Sequence, residues 1–214
     1  MLIADMDSTM IQQECIDELA DEAGVGAYVA DITARAMNGE LDFEAALRER
    51  VGLLKDLPAT TIDKVLAERI TYMPGGRALL ATMRAAGAYT VLVSGGFTAF
   101  TRAIAAMVGF DENRANRLVI ENGKFVGRVE EPILGAQAKL DSLVELRDAR
   151  DLTRAQTLAA GDGANDLPML REAGLGAAFR AKPAVAEAAD ARIDHADLTA
   201  LLYAQGYSRA DFVE

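Results

Sequence analysis

Apolar residues recur at helical spacing through the region from about Gln12 to Tyr72. Ile16, Leu19 and Ala20 share one face of a helix, and similar stripes follow as far as Leu66. Glycine, Asn-Gly and Leu-Pro sequences interrupt these stripes, and no strand-like run occurs among them. The pattern predicts a bundle of about four helices.

Short apolar runs and helical segments alternate in the rest of the chain. Strands are predicted at residues 2–4, 89–93, 157–160 and 175–179, and helices at about 75–86, 97–108, 136–149 and 197–204. Such alternation is typical of a parallel sheet with helices on both faces. Residues 118–126 predict a β-hairpin, because Asn122-Gly123 accepts the positive φ angles of a tight turn.

Together these segments predict an α/β fold with a helical insertion. The core is a Rossmann-like parallel sheet built from residues 1–11 and 73–214, with the small β-hairpin attached to it. Residues 12–72 are predicted to form a helical-bundle cap inserted after the first strand.

Composition and charge narrow the classes of function. The 214 residues include 22 Lys and Arg against 33 Asp and Glu, a net charge of -11 that disfavours nucleic acid as a partner. With one cysteine and one histidine, a disulfide or a multi-histidine metal site is excluded, so carboxylates and lysine must carry any chemistry. No apolar run approaches a bilayer-spanning length and no leader is visible, so we expect a cytoplasmic protein without a membrane partner.

Polar clusters follow three of the predicted strands. They are Asp5-Met6-Asp7-Ser8-Thr9, Ser94-Gly95-Gly96, and Gly161-Asp162-Gly163-Ala164-Asn165-Asp166. Ligands of open parallel sheets bind beyond the carboxyl ends of the strands, so the clusters should meet in space. Gathered carboxylates repel one another unless they share a cation, and oxygen ligands beside a phosphate favour Mg²⁺. The alternative is that these residues are ordinary turn and helix-cap residues.

Two further features indicate phosphate binding. Ser94 with its two glycines can bind phosphate through the hydroxyl and backbone N–H groups, although Ser-Gly-Gly is also common in loops. Lys139 lies near the start of a predicted helix, where the dipole disfavours a cation, and the alternative is a solvated lysine.

The predicted cap places a charge within an apolar stripe. Arg50 falls between Phe43, Leu47 and Leu54, where a guanidinium needs an anion. That anion is either an internal carboxylate or the substrate, unless the side chain extends to the rim. Glu14 begins the cap and is either an ordinary helix N-terminal residue or a second substrate contact. As a pair, Glu14 and Arg50 match the ammonium and carboxylate of an amino acid.

The clusters resemble the four motifs of haloacid-dehalogenase-type phosphatases: Asp-Met-Asp-Ser-Thr, Ser-Gly-Gly, the downstream lysine and Gly-Asp-Gly-Ala-Asn-Asp. The chain is most similar to the phosphoserine phosphatase family. That similarity extends to the cap sequence 37–57, to Ala115-Asn116-Arg117-Leu118 and to Ala181-Lys182-Pro183, and therefore to essentially the whole chain.

The resemblance implies a catalytic and metal-binding role for several residues. Asp5 is the implied nucleophile and Asp7 the acid/base. The implied Mg²⁺ ligands are the side chains of Asp5 and Asp162 and the backbone carbonyl of Asp7, with Asp166 in support. The phosphate contacts are Ser94, Gly95 and Lys139, and Asn165 helps to order the site. Glu14 and Arg50 read the ammonium and carboxylate, and Met37 and Phe43 line the cap.

The implied reaction is hydrolysis of O-phospho-L-serine through a phospho-aspartate, the last step of serine biosynthesis, by a monomer or homodimer. A related small-molecule phosphatase, and a phosphotransferase with an acceptor such as homoserine, remain open. A receiver-like signalling domain also gathers acidic residues and lysine around Mg²⁺. The helical cap, and a nucleophile on the first strand beside a second aspartate, argue against that domain.

Overall fold

A computed structural model of the chain describes residues 1–213 and contains two β-sheets. Its strands are β1 Leu2–Ala4, β2 Thr90–Phe97, β3 Glu112–Asn116, β4 Leu118–Glu121, β5 Lys124–Val129, β6 Leu158–Gly161, β7 Leu175–Phe179 and β8 Ala191–Ile193. Six of them form a sheet in the order β3-β2-β1-β6-β7-β8, in which every pairing is parallel. The antiparallel pair β4-β5 forms the hairpin. This architecture confirms the predicted α/β fold class.

Residues 1–213 contain ten α-helices, of which nine lie between strands and α10 follows β8. They are α1 Cys15–Glu22, α2 Gly26–Met37, α3 Phe43–Leu53, α4 Thr61–Glu68, α5 Gly76–Ala85, α6 Thr98–Val108, α7 Ala136–Asp148, α8 Leu167–Glu172, α9 Pro183–Ala188 and α10 Ala200–Ala204. In the part of the chain described, no helix is long and apolar enough to cross a membrane.

Strand β1 is the centre of the sheet and has no exposed surface. Leu2 and Ala4 belong to the hydrophobic core on one face of the sheet, and Ile3 belongs to the core on the other. Alternation of side chains along a strand produces this division. A strand buried on both faces appears in the sequence as a continuous apolar run, which is why the first strand could be recognised.

Helices α1–α4 lie between β1 and α5, and two adjacent chain segments connect them to the sheet. Ile11 forms an antiparallel bridge with Tyr72. Gln12 N donates to Thr71 O at 2.9 Å, and Met73 N donates to Met10 O at 2.9 Å. The chain therefore leaves and re-enters the core as a short antiparallel pair. The division into domains at residues 11/12 and 72/73 stays a prediction.

The hairpin contacts the connection between α3 and α4. Its turn uses Asn122 and Gly123 with φ angles of 52° and 74°. Asp56 N donates to Phe125 O at 2.9 Å, Phe125 N to Leu57 O at 3.0 Å, and Ala59 N to Gly123 O at 2.8 Å. Backbone hydrogen bonds therefore join the hairpin to the connection between α3 and α4, although the hairpin follows β3 in the chain.

Some element boundaries differ from those predicted. Strand β2 does not stop at Ser94 but continues to Phe97, with a shift in its register against β3 between Val93 and Phe97. Helix α10 begins at Ala200 rather than Asp197, because the Asp197 carboxylate accepts a hydrogen bond from Thr199 N and forms a turn there.

Candidate active site

The polar clusters meet at the carboxyl edge of the sheet. Ala4, the last residue of β1, pairs with Leu92 of β2 and with Ala160 of β6. Asp5 and Asp162 each follow the end of one of these neighbouring strands, and Ser94 lies two residues beyond Leu92. Strand order therefore brings together groups that are far apart in the sequence, as the sequence predicts.

Three buried carboxylates form the centre of the site. Asp5, Asp162 and Asp166 each present an oxygen within 4.8 Å of the other two. Burial, followed by the charge of Asp166, raises the pKa of Asp5 well above its usual value and the pKa of Asp162 to about 7. Oxygen-only donors with unfavourable mutual repulsion fit a hard divalent cation. This cluster can hold a metal ion.

Lys139 partly offsets the charge of this cluster. It has no exposed surface, and its Nζ lies 2.9 Å from Asp5 Oδ2 and 2.6 Å from Asp166 Oδ1. Burial alone would lower the pKa of Lys139, but the carboxylates of Asp166 and Asp5 outweigh it and raise the pKa above its ordinary value. The ammonium therefore stays charged and holds one oxygen of Asp5.

Hydrogen bonds fix the loop after β6. Asp166 Oδ2 accepts from Asp162 N at 3.2 Å and from Gly163 N at 3.1 Å. A Cβ at Gly161 would lie 2.4 Å from Asp166 Cγ, so only glycine fits beneath the folded-back carboxylate. Thr9 Oγ1 donates to Asp162 Oδ1 at 3.1 Å and links this loop to the one after β1.

Asp7 is held on both carboxylate oxygens. Cys15 N donates to Oδ1 at 2.8 Å, and Ser94 Oγ donates to Oδ2 at 3.2 Å. Burial raises the pKa of Asp7, and the bonds from Cys15 and Ser94 only partly oppose that effect. A carboxyl group with a raised pKa can carry a proton more readily, as a general acid must.

The helical region and the sheet enclose one cavity. Its lining includes predicted site residues of both: Glu14, Met37, Phe43 and Arg50 from residues 12–72, and Asp5, Asp7, Ser94, Gly95, Asp162 and Asn165 from the core. Phe43 covers the end of β2, where a Cβ at Gly95 would lie 2.6 Å from Phe43 Cζ. Lys139 and Asp166 do not line the cavity. Lys139 contacts the lining residue Asp5, and Asp166 contacts Lys139.

Arg50 is 5% exposed and forms no ion pair with a carboxylate among the residues that the structure describes. Its Nε donates to Ala46 O at 3.1 Å and its Nη1 to Thr33 Oγ1 at 2.9 Å, so its partners within residues 1–213 are neutral oxygens. Thr33 Oγ1 in turn donates to Asp17 Oδ1 at 2.6 Å. The guanidinium thus lies in the cavity wall with its charge available to an anion.

Glu14 is an acidic residue that lines the same cavity as Arg50. Its Oε1 accepts from Ser8 Oγ at 2.5 Å. Burial, followed by the charges of Asp7 and Asp162, raises the pKa of Glu14 well above its usual value. A cation bound beside Glu14 would relieve this repulsion.

Sequence reasoning missed several residues that hold the predicted ones. Thr33 and Asp17 support Arg50, Cys15 supports Asp7 through its backbone, and Asn116 bonds to the backbone of Gly95. Of these, Thr33 had a usable signal, because a hydroxyl on the buried face of α2 needs a polar partner. A backbone donor such as Cys15 N carries no sequence signal.

Comparison with known proteins identifies the same architecture. The family model for haloacid dehalogenase-like hydrolases matches residues 2–171. A solved structure described as a phospho-aspartyl intermediate analogue of phosphoserine phosphatase is 41% identical, with a TM-score of 0.91, and the match covers 95% of this chain and 97% of that one.

Two relatives at similar identity are longer than this chain. A probable phosphoserine phosphatase of Schizosaccharomyces pombe is 45% identical over 208 residues, which cover 96% of this chain and 70% of the relative. A phosphoserine phosphatase of Streptomyces coelicolor is 44% identical over 211 residues, which cover 99% of this chain and 51% of the relative. The chain therefore spans about half the length of the Streptomyces protein.

Proposed function

The chain belongs to the haloacid dehalogenase-like hydrolases, and on that premise we propose that it hydrolyses O-phospho-L-serine to L-serine and phosphate. The observation that carries the proposal is that Glu14 and Arg50 line the same cavity as Asp5 and Asp7. The cavity thus combines a nucleophile and an acid with one group for an ammonium and one for a carboxylate. The relatives named above as phosphoserine phosphatases support this substrate.

The first half of the proposed reaction forms a phospho-aspartate. Asp5 Oδ1 accepts a hydrogen bond from Met6 N at 2.7 Å and Oδ2 contacts Lys139, so the carboxylate is fixed before substrate arrives. An Asp5 oxygen attacks phosphorus, and the bond from phosphorus to the serine oxygen breaks. Protonated Asp7 gives its proton to that oxygen, and serine leaves as the alcohol.

The second half regenerates the enzyme. Asp7, now ionised, takes a proton from a water molecule, and the resulting hydroxide oxygen attacks phosphorus of the acyl phosphate. The phosphorus–oxygen bond to Asp5 breaks, which releases inorganic phosphate and restores the carboxylate. Asp7 ends the cycle protonated, so no further acid or base is required.

The side chains of Asp5 and Asp162, with Asp166 in support and the backbone carbonyl of Asp7, would hold Mg²⁺. When bound, that ion supplies positive charge that reduces the repulsion between the phosphate and the carboxylates. Ser94, the Gly95 amide and Lys139 are proposed to hold the phosphate, and Asn165 to order the site.

In the proposed complex the cap recognises the amino acid. Glu14 accepts the ammonium and Arg50 binds the carboxylate through charge-assisted hydrogen bonds. Met37 and Phe43 provide apolar walls of the cavity. The proposed reaction forms free L-serine, and we therefore place it at the last step of serine synthesis. A cytoplasmic location and a monomeric or dimeric state stay predictions.

Phosphate release from four esters, with and without Mg²⁺, tests the proposal. The esters are O-phospho-L-serine, O-phospho-L-threonine, O-phosphoethanolamine and a sugar phosphate. We expect phosphoserine to give the highest kcat/KM, and phosphoethanolamine, which lacks the carboxylate, to be much poorer. A sugar phosphate hydrolysed as well as phosphoserine would overturn the substrate assignment. A parallel reaction with homoserine, analysed for phosphohomoserine, would reveal a phosphotransferase.

A trapping experiment tests the nucleophile. The wild-type protein, quenched in acid during turnover of ³²P-phosphoserine, should retain label on protein, and Asp5→Asn should retain none. Asp63→Asn, an exposed change on α4, is the matched control and should behave as wild type. Label retained by Asp5→Asn would show that another residue is the nucleophile.

A further inference from the structure

Asn116, the last residue of β3, connects two segments of the active site through its carboxamide. Its Nδ2 donates to Gly95 O at 2.8 Å and to Leu134 O at 3.1 Å, and its Oδ1 accepts from Leu134 N at 2.6 Å. The side chain is 3% exposed, so these bonds are sheltered from water. Both of its donor hydrogens and one acceptor site are satisfied by backbone alone.

The first segment, Ser94–Gly96, contains two glycines that leave no room for a side chain. A Cβ at Gly95 would meet Phe43, and one at Gly96 would lie 2.9 Å from Asp7 Oδ2. Two consecutive glycines leave the backbone with wide conformational freedom. The β2–β3 pairing also shifts in register between Val93 and Phe97, where this segment lies. A hydrogen bond from Asn116 holds the segment at that irregularity.

The second segment begins the helix that carries Lys139. Leu134 precedes Gly135, the N-cap of α7, and Lys139 N donates to Gly135 O at 3.1 Å. Asn116 bonds both the N–H and the carbonyl of Leu134, and it also bonds Gly95 O near the end of β2. It therefore holds the residues that precede α7 beside the end of β2. The two fixed segments supply all three groups proposed to hold the phosphate.

The same bond has a second effect through the peptide plane. The peptide between Gly95 and Gly96 is planar, so fixing the Gly95 carbonyl also orients the Gly96 N–H. That N–H donates to Ser94 Oγ at 2.8 Å, and Ser94 Oγ donates to Asp7 Oδ2 at 3.2 Å. Asn116 is therefore the start of a hydrogen-bond chain that ends on the proposed acid.

We propose that Asn116 is a positioning residue that sets the geometry of the phosphate-binding groups, without contacting the substrate itself. This inference rests on the proposed phosphatase chemistry but not on the identity of the alcohol. It predicts that loss of the carboxamide weakens phosphate binding and leaves recognition of the amino acid unchanged.

Asn116→Ala and Asn113→Ala provide a matched comparison. Asn113 lies on the same strand and accepts a hydrogen bond from Thr101 Oγ1 at 2.9 Å, on the side of α6. With p-nitrophenyl phosphate as substrate, we expect the inhibition constant of inorganic phosphate to rise about tenfold in Asn116→Ala, the effect of losing about one hydrogen bond's worth of free energy. Asn113→Ala should leave it unchanged, and the ratio of kcat/KM between phosphoserine and p-nitrophenyl phosphate should stay as in wild type for both variants.

An unchanged phosphate inhibition constant in folded Asn116→Ala, or an equal change in both variants, would overturn the inference. If Asn116→Ala does not fold, amide hydrogen exchange of the wild-type protein decides. Leu134 N–H should exchange slowly if the Asn116 bond persists, and exchange as fast as an exposed loop amide would refute it. Failure of the proposed function is a separate outcome, seen as wild-type protein that does not prefer phosphoserine.

Discussion

Replacing Arg50 with methionine tests the proposal that Arg50 binds the carboxylate of an amino-acid substrate. Methionine keeps an unbranched side chain within the buried stripe of α3 and removes the guanidinium. The stripe is closed around this position, since Leu47 and Val51 are at most 2% exposed, so little water can replace the lost group. The variant therefore removes a charge without opening a large cavity.

The expected loss of kcat/KM for phosphoserine follows from the hydrogen-bond partners of Arg50. Its Nε and one Nη1 hydrogen are occupied by Ala46 O and Thr33 Oγ1, which leaves other guanidinium N–H groups for a carboxylate. Hydrogen bonds to charged groups contribute about 1.5–3 kcal/mol, equivalent to about 10- to 150-fold in an equilibrium constant. Because the substrate carboxylate would be left unpaired in a sheltered cavity, we expect a loss near the upper end.

The assay compares kcat/KM for phosphoserine with that for phosphoethanolamine. We expect a decrease of about 100-fold for the first and less than about threefold for the second, because phosphoethanolamine has no carboxylate. Arg48→Met is the control, since Arg48 lies on the same helix but is exposed and pairs with Glu44 and Glu131. Equal losses on both substrates would refute the carboxylate contact.

Thermal unfolding of the same variant gives an independent measurement. Burial lowers the pKa of Arg50, and the charges of Asp17, Glu14 and Asp7 offset that effect only in part, so the buried guanidinium carries a net desolvation cost. Without substrate, Arg50→Met should therefore unfold at the wild-type temperature or above it. A large drop in Tm would mean that Arg50 supports the fold itself, and its effect on activity could not then be assigned to substrate binding.

Two further predictions concern the carboxylates. Asp7→Asn should remain folded, because its amide oxygen can still accept the Cys15 N–H bond, but kcat should fall about 10²- to 10⁴-fold; a kcat within tenfold of wild type would exclude Asp7 as the acid. The pKa of Asp162 is raised to about 7 in the folded protein, whereas an unfolded Asp ionises at about pH 4. The free energy of unfolding of the metal-free protein should therefore fall as the pH rises from about 4 to about 7. Mg²⁺ must displace that proton at low pH, so the rise in Tm on adding Mg²⁺ should be larger at pH 7.5 than at pH 5.5; an equal rise would contradict this.

The sequence predicted those elements whose burial leaves a simple pattern. Strand β7 was predicted with its observed bounds, and the hairpin followed from its Asn-Gly turn. Strand β3, Glu-Asn-Arg-Ala-Asn, was missed because it lies at the sheet edge and lacks an apolar run. Strand β8, Ala-Arg-Ile, was missed because, unlike the three residues of β1, it is not a continuous apolar run. Helix α9 was missed because six residues are too few to show a helical period.

The site shows a similar contrast. Asp5 and Gly95 were predicted because they belong to polar clusters that follow strands of a predicted parallel sheet, where ligands bind, and because those clusters resemble the motifs of a known family. Asn116 could not be predicted as a supporting residue, because its partners are backbone groups that only the tertiary fold places beside it. The assignment of individual roles to the predicted site residues stays a prediction until the variants are measured.

The hairpin has a mechanical consequence for access to the cavity. Phe43 lies against Gly95, so movement of α3 away from the end of β2 would widen access to the cavity. The end of α3 is also tied to the hairpin, through the backbone bonds of Asp56, Leu57 and Ala59. If the helices move outward, β4 and β5 must either move with them or lose the backbone hydrogen bonds to Asp56, Leu57 and Ala59.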